Sequence, residues 1–137
     1  MKVLFVCTGN INRSSVADVI LRKVEGFEVK SCGTGKTALK NCKAAPRMRR
    51  SAVKYGFDLE QHRTTPITKE LVEWADIVVA MGNPHRKWVE SNCPEHIDKV
   101  QQWDILDPHF DGDPEACDRC LVAIRDKVDE FVSGTGL

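Results

Sequence analysis

The chain carries no net charge. Its 20 lysines and arginines balance 20 aspartates and glutamates, so no global field draws it to nucleic acid or to an acidic membrane surface. No apolar run approaches the roughly 20 residues that a membrane-spanning helix needs. No leader is evident either: Met1-Lys2 runs straight into a short strand pattern, which predicts a cytoplasmic rather than a secreted protein. Linkers, repeats and low-complexity tracts are missing, so the 137 residues read as a single domain over 1–137. A domain of this size buries roughly two-thirds of its unfolded surface, and 42% apolar content argues against disorder. Six cysteines stand at positions 7, 32, 42, 93, 117 and 120. Without a secretion signal, and with an adequate core, reduced thiols fit better than disulfides.

The charge that is present is uneven. From Lys36 to Arg63 there are eight basic residues and two acidic ones; from Asp104 to Glu130 there are nine acidic and three basic. Such asymmetry marks solvated faces or a binding mouth of one sign.

Apolar patterning predicts four strands and five helices. Val3 to Cys7 and Asp76 to Met81 read as fully buried strands, Phe27 to Ser31 as an alternating one, and Lys99 to Trp103 as a weaker fourth. Helices are predicted over 14–25, from Pro46 to near Gly56, after the N-cap candidate Thr68, from Asn83 to about Ser91, and over 114–132. Residues 36–45 read as loop. Strands separated by helices imply an α/β fold, a three-layer, Rossmann-like arrangement with a four-stranded parallel sheet covered on both faces. Ligands in such folds bind beyond the carboxyl ends of the strands, which is where Cys7 falls.

Cys7-Thr-Gly-Asn-Ile-Asn-Arg13-Ser14 follows that first strand. A short loop between strand and helix turns its amides inward, Gly9 allows the tight bend, and the helix N-terminus adds positive potential. The product is a nest for a tetrahedral oxyanion. Arg13 can grip two of its oxygens in a fork that lysine cannot offer. Electropositive surroundings of this kind favour a thiolate over a thiol, and Ser14 can donate a further hydrogen bond to the sulfur. A thiolate beneath a bound phosphate is placed for in-line attack on phosphorus.

This stretch resembles the signature of the low-molecular-weight protein tyrosine phosphatases: cysteine, five residues, then Arg-Ser, with Gly-Asn inside. The likeness continues in Ser31-Cys-Gly-Thr34, in Asp76 to Met81 and in Asp107-Pro108, so it covers nearly the whole chain. It implies that Cys7 attacks phosphorus and forms a phosphocysteine, and that Arg13 and the loop amides hold the equatorial oxygens. Thr8, Gly9, Asn10, Ile11, Asn12 and Ser14 would complete the phosphate site, with Asn10 holding the loop's shape. Asp107 would protonate the leaving oxygen and later deprotonate water, and Phe110 would wall the substrate. It implies no cofactor, no metal and a monomer acting on a phosphorylated protein or a small aryl phosphate. Asp104 and Asp111 are the competing acids, and Asp104 lacks the following proline.

The chain departs from this pattern in two places. Asn12 stands where many members have a second cysteine that protects the nucleophile as a disulfide; only Cys32 could substitute. The loop Lys36-Thr-Ala-Leu-Lys40 lacks the aromatic residue of tyrosine-directed members, leaving Phe110 as one wall, while Lys36, Lys40 and Lys43 read first as solvated lysines and otherwise as suiting acidic flanks. Ile11 matches the tyrosine-directed branch, whereas protein-arginine phosphatases of the family tend to have threonine there. A thioredoxin-coupled arsenate reductase would need two cysteines just after the third strand, where Met81-Gly-Asn-Pro84 stands. A non-catalytic phospho-binding module would not need a nucleophile. Gly33-Thr-Gly-Lys-Thr37 lacks the first glycine of an ATP-binding loop, since position 30 is Lys30. Cys93-x2-His96 and Cys117-x2-Cys120 have zinc-like spacing, but the predicted fold puts them at opposite ends of the sheet. His62, His85 and His109 are expected at the surface, with His109 near substrate.

Overall fold

The computed structural model describes residues 1–136. Its central strand is β1 (Lys2–Cys7), in which Val3, Leu4, Phe5 and Val6 are completely buried. A continuous apolar run demands cover on both faces, and the core divides accordingly. Successive side chains of a strand point to opposite sides, so Val3, Phe5 and Cys7 enter one hydrophobic cluster and Leu4 and Val6 the other. Helices α1 (Arg13–Leu21), α2 (Pro46–Lys54) and α5 (Ala116–Thr135) complete the first cluster. Helices α3 (Lys69–Trp74) and α4 (Asn83–Asn92) complete the second. Strands β2 (Glu28–Gly33), β3 (Ile77–Ala80) and β4 (Val100–Gln102) make a sheet of order β2-β1-β3-β4, parallel throughout. This is the predicted three-layer α/β fold, with Cys7 at the carboxyl end of β1, opposite Gly33.

Several boundaries differ from the sequence reading. Helix α1 stops at Leu21, where Val24 N–H turns back to the Leu21 carbonyl and Gly26 adopts φ 95°. Strand β2 continues past Ser31 to Gly33, and β4 is shorter than expected, although Trp103 N and Ile105 N still donate to the Ala80 and Met81 carbonyls at 2.9 Å on either side of Asp104, at φ 54°. Helix α5 runs from Ala116 to Thr135, with Cys117, Leu121, Ile124 and Val128 buried as the spacing predicts. Residues 36–45 are not all loop: Lys36–Lys40 form a 3-10 turn that buries Ala38. So short an element has no apolar period to announce it.

The uneven charge resolves into an interface. Arg47 of α2 donates to the Asp111 and Asp113 carbonyls at 3.1 and 2.8 Å, and Lys54 pairs with Asp118 of α5 at 2.6 Å. The basic and acidic segments thus meet each other, and Lys43, read as solvated or as suiting acidic flanks, pairs with Glu60 at 3.2 Å. No helix among the described residues is long and apolar enough to cross a membrane.

Candidate active site

Cys7 is 2% exposed. Its Sγ lies 3.3 Å from the amide of Asn10, which donates to it, and 2.9 Å from Ser14 Oγ. Ser14 Oγ already accepts from Asn10 Nδ2 at 2.7 Å, and its other acceptor, the Cys32 carbonyl, is 3.4 Å away. The hydroxyl proton therefore goes to the sulfur, and donors converge on Sγ from two sides. Among the described residues the amides of Thr8, Gly9, Ile11 and Asn12 make no hydrogen bond within the chain, so they remain available to an oxyanion.

Asn10 is the loop's brace. It sits at φ 59°, a left-handed conformation that asparagine tolerates better than most residues. It is fully buried, with Nδ2 donating also to Ser31 Oγ at 3.1 Å and Oδ1 accepting from Thr65 N at 2.9 Å. Its carbonyl accepts from His62 Nε2 at 2.6 Å. The expected shape-holding role has partners here that the sequence reading missed: Ser31 from the neighbouring strand β2, and His62 and Thr65 from the segment between α2 and α3. Gly33 has to be glycine, because a Cβ there would lie 2.5 Å from the Thr8 carbonyl oxygen.

Arg13 opens α1 and is 7% exposed. One guanidinium nitrogen donates to the Ile105 carbonyl at 3.1 Å and another reaches Asp107 Oδ2 at 3.4 Å. Two of its five donors are thus spent on orientation, and the rest make no hydrogen bond among the described residues. Asp107 Oδ1 caps the short turn Pro108–Phe110 by accepting from His109 N at 3.0 Å. Asp104, the decoy, instead accepts from Gln102 at 2.6 Å.

Cys7, Thr8, Gly9, Ile11, Asn12, Arg13, Asp107 and Phe110 open on one cavity of about 170 Å³, joined by His109 and by Thr37 of the 3-10 turn. Asn10 and Ser14 lie behind it. Phe110 is 89% exposed and meets His109 edge-on at 4.6 Å. The cavity is smaller than a usual ligand pocket, enough for a phosphoryl group and the start of its substituent. A larger groove of about 430 Å³, between Gln101–Trp103 and α5, is lined by no cysteine.

The other cysteines fall outside this cavity. Cys32 pairs in register with Val6, on the opposite face of the sheet from Cys7, and is completely buried. Burial, and secondarily Cys7, raise its pKa well above the ordinary thiol value, so it is a poor substitute for the missing second cysteine. Asn12 is buried with Oδ1 unpartnered. Cys93 belongs to one hydrophobic cluster and Cys117 and Cys120 to the other, which separates the zinc-like pairs.

The expectation for the histidines needs correction. His109 is exposed, but His62 is partly buried and His85, in the first turn of α4, is 1% exposed. His85 Nε2 lies 2.9 Å from Thr8 Oγ1. Burial, then the Arg13 guanidinium, lower its pKa from 6.5 to about 4, against a smaller opposing pull from Asp107. A lone histidine leaves no periodic signal, which is why its burial was not legible. A lowered pKa means that the unfolded chain takes up the proton first. The stability held by neutral His85 is complete above pH 6.5 and drains away as pH falls toward about 4. At full burial the difference corresponds to roughly 3 kcal/mol; partial screening by solvent reduces this to on the order of 2 kcal/mol. Denaturant titrations at pH 7 and pH 4 should show His85→Leu losing less stability on acidification than wild type, by about that amount. An identical acid loss in both would contradict the assignment.

The comparisons agree with this geometry. The family model for low molecular weight phosphotyrosine protein phosphatase matches residues 2–135. A protein-arginine-phosphatase of Geobacillus stearothermophilus is 34% identical, covering 96% of this chain and 90% of that protein. The low molecular weight protein-tyrosine-phosphatase Etp of Escherichia coli K12 is also 34% identical, over 78% of this chain and 76% of its own. Among solved structures, the arginine phosphatase YwlE, as a cysteine-to-serine mutant with a phosphorylated active-site serine, superposes with a TM-score of 0.87 at 28% identity, covering 98% of this chain and 95% of that one. The chain belongs to the low molecular weight phosphotyrosine protein phosphatase family and is a cysteine-based phosphatase.

Proposed function

We propose that the chain hydrolyses phosphotyrosine-type monoesters through a phosphocysteine on Cys7. The observation that carries this reading is the sulfur held by Ser14 Oγ at 2.9 Å and Asn10 N at 3.3 Å, at the base of a cavity that Arg13 and Asp107 also line. The Cys7 thiolate attacks phosphorus as the P–O bond to the leaving group breaks, and Asp107 gives its proton to that oxygen. Water then attacks the phosphocysteine, Asp107 takes the water proton, and the P–S bond breaks to release inorganic phosphate and the thiolate. The Arg13 guanidinium and the amides of Thr8, Gly9, Ile11 and Asn12 stabilise the charge on the equatorial oxygens in both steps. A reducing compartment such as the cytoplasm suits the mechanism, since the nucleophile must remain a thiol; all six cysteines are unpaired.

Two features support an aryl substrate. Ile11 and Phe110 line the cavity, offering an apolar contact and one aromatic wall. Ile11 also matches the tyrosine-directed branch. The similarity to a protein-arginine-phosphatase favours a second reading, in which the substrate is a phosphoarginine residue. Peptides carrying phosphotyrosine, phosphoarginine or phosphoserine in one sequence distinguish the two. The expected order of kcat/KM puts phosphotyrosine first; a higher value for phosphoarginine would replace the first reading with the second. Arsenate reduction coupled to thioredoxin is expected to be absent from the same panel.

A further inference from the structure

We infer that His85 is a positioning residue for the reaction, acting through its hydrogen bond to the Thr8 hydroxyl to fix the peptide that follows the nucleophile. The inference rests on the phosphatase reading above. Thr8 is exposed yet held from two sides. Its carbonyl accepts from Gly35 N at 2.9 Å, and its hydroxyl meets His85 Nε2 at 2.9 Å. The first contact comes from the segment after β2. The second comes from α4, on the other side of β1, and it alone restrains the hydroxyl.

His85 has little other reason to be polar. It is 1% exposed, and among the described residues Nδ1 has no hydrogen-bond partner of acceptable geometry, only a weak pull from the Gly82 backbone. An unpartnered buried nitrogen costs stability, so an apolar residue would pack there at lower cost. The ring's one good hydrogen bond goes to Thr8, and it forms with either tautomer because a hydroxyl both donates and accepts. Burial and Arg13 keep the ring neutral at ordinary pH, so it steadies the loop without adding a second cation that would compete with Arg13 for the phosphoryl oxygens. Thr8 follows Cys7 directly, and misplacement of its amide moves a donor aimed at the transition state.

The test is steady-state hydrolysis of an aryl phosphate by wild type, Thr8→Val, His85→Leu, His85→Gln and the double variant Thr8→Val/His85→Leu, with melting temperatures as the folding control. Thr8→Val and His85→Leu are each expected to lower kcat about tenfold with KM within about twofold. The double variant should fall no further than either single, because both remove one bond. His85→Gln, which keeps a hydrogen-bonding group at that reach, should recover most of the loss. Wild-type kcat in Thr8→Val, a rise in KM alone, or losses that multiply in the double variant would overturn the inference. Thr8 is exposed and valine is its isostere, so that arm decides even where His85→Leu fails to fold. Turnover by wild type without coupling sinks this inference alone; no turnover by wild type sinks the phosphatase reading and takes the inference with it.

Discussion

Replacing Cys7 by serine is expected to abolish hydrolysis of an aryl phosphate, with kcat lower by at least about 10⁴-fold, while binding of vanadate or phosphate persists. The two outcomes separate because they rest on different atoms. In the proposed mechanism the oxyanion is held by the loop amides and Arg13, and the variant leaves Asn10, His62 and the Ile105 carbonyl that orient them in place. Turnover needs a group that both attacks phosphorus and leaves it again, and a serine hydroxyl without an adjacent base is a weaker nucleophile and, once phosphorylated, a poorer leaving group than a cysteine sulfur. Single-turnover kinetics on an aryl phosphate and calorimetric titration with vanadate read the two quantities independently. Residual turnover near the wild-type rate would remove Cys7 from the reaction. Loss of vanadate binding together with activity would show a collapsed loop rather than a missing nucleophile.

Asp107→Asn should reveal its effect only through the leaving group. Asparagine keeps the oxygen that accepts from His109 N and so preserves the turn over Pro108–Phe110. What it removes is the transferable proton. For a good leaving group such as p-nitrophenolate the first step should change little. For unactivated alkyl or phenyl phosphates kcat should fall by roughly 10²–10³. A plot of log kcat against leaving-group acidity would therefore steepen relative to wild type. A uniform drop across the series would instead mean that Asp107 serves by orienting Arg13, from which it lies 3.4 Å away, and some other group would have to supply the proton.

The site was legible in proportion to how local it is. Cys7, Gly9, Asn10, Arg13 and Ser14 sit within one loop and the start of one helix, where spacing alone dictates which groups converge. Asp107, 94 residues from Arg13, entered through family resemblance, since an Asp-Pro pair by itself is a common turn. Ser31, His62, Thr65 and His85 were not read as parts of the site. Each reaches the loop by a hydrogen bond spanning 21 to 77 residues, and no periodicity encodes such a partner. The same holds for charge. The basic and acidic stretches were visible as composition, but their pairing through Arg47 and Lys54 depends on α2 lying beside α5.

By itself the amino-acid order determined the alternation of buried strands and amphipathic helices, and with it a parallel sheet whose first carboxyl end carries a thiol, a glycine turn and an arginine. Those features follow from period and spacing, which act over a few residues. Only the tertiary structure decided that Asn10 is braced from four sides, that Cys32 is sealed on the far face of the sheet, that the Lys36–Lys40 turn supplies Thr37 to the cavity wall, and that a buried His85 touches Thr8. Those outcomes depend on which distant segments the packed core forces together. Burial excludes water from the polar groups caught there, so each must find its partner within the fold.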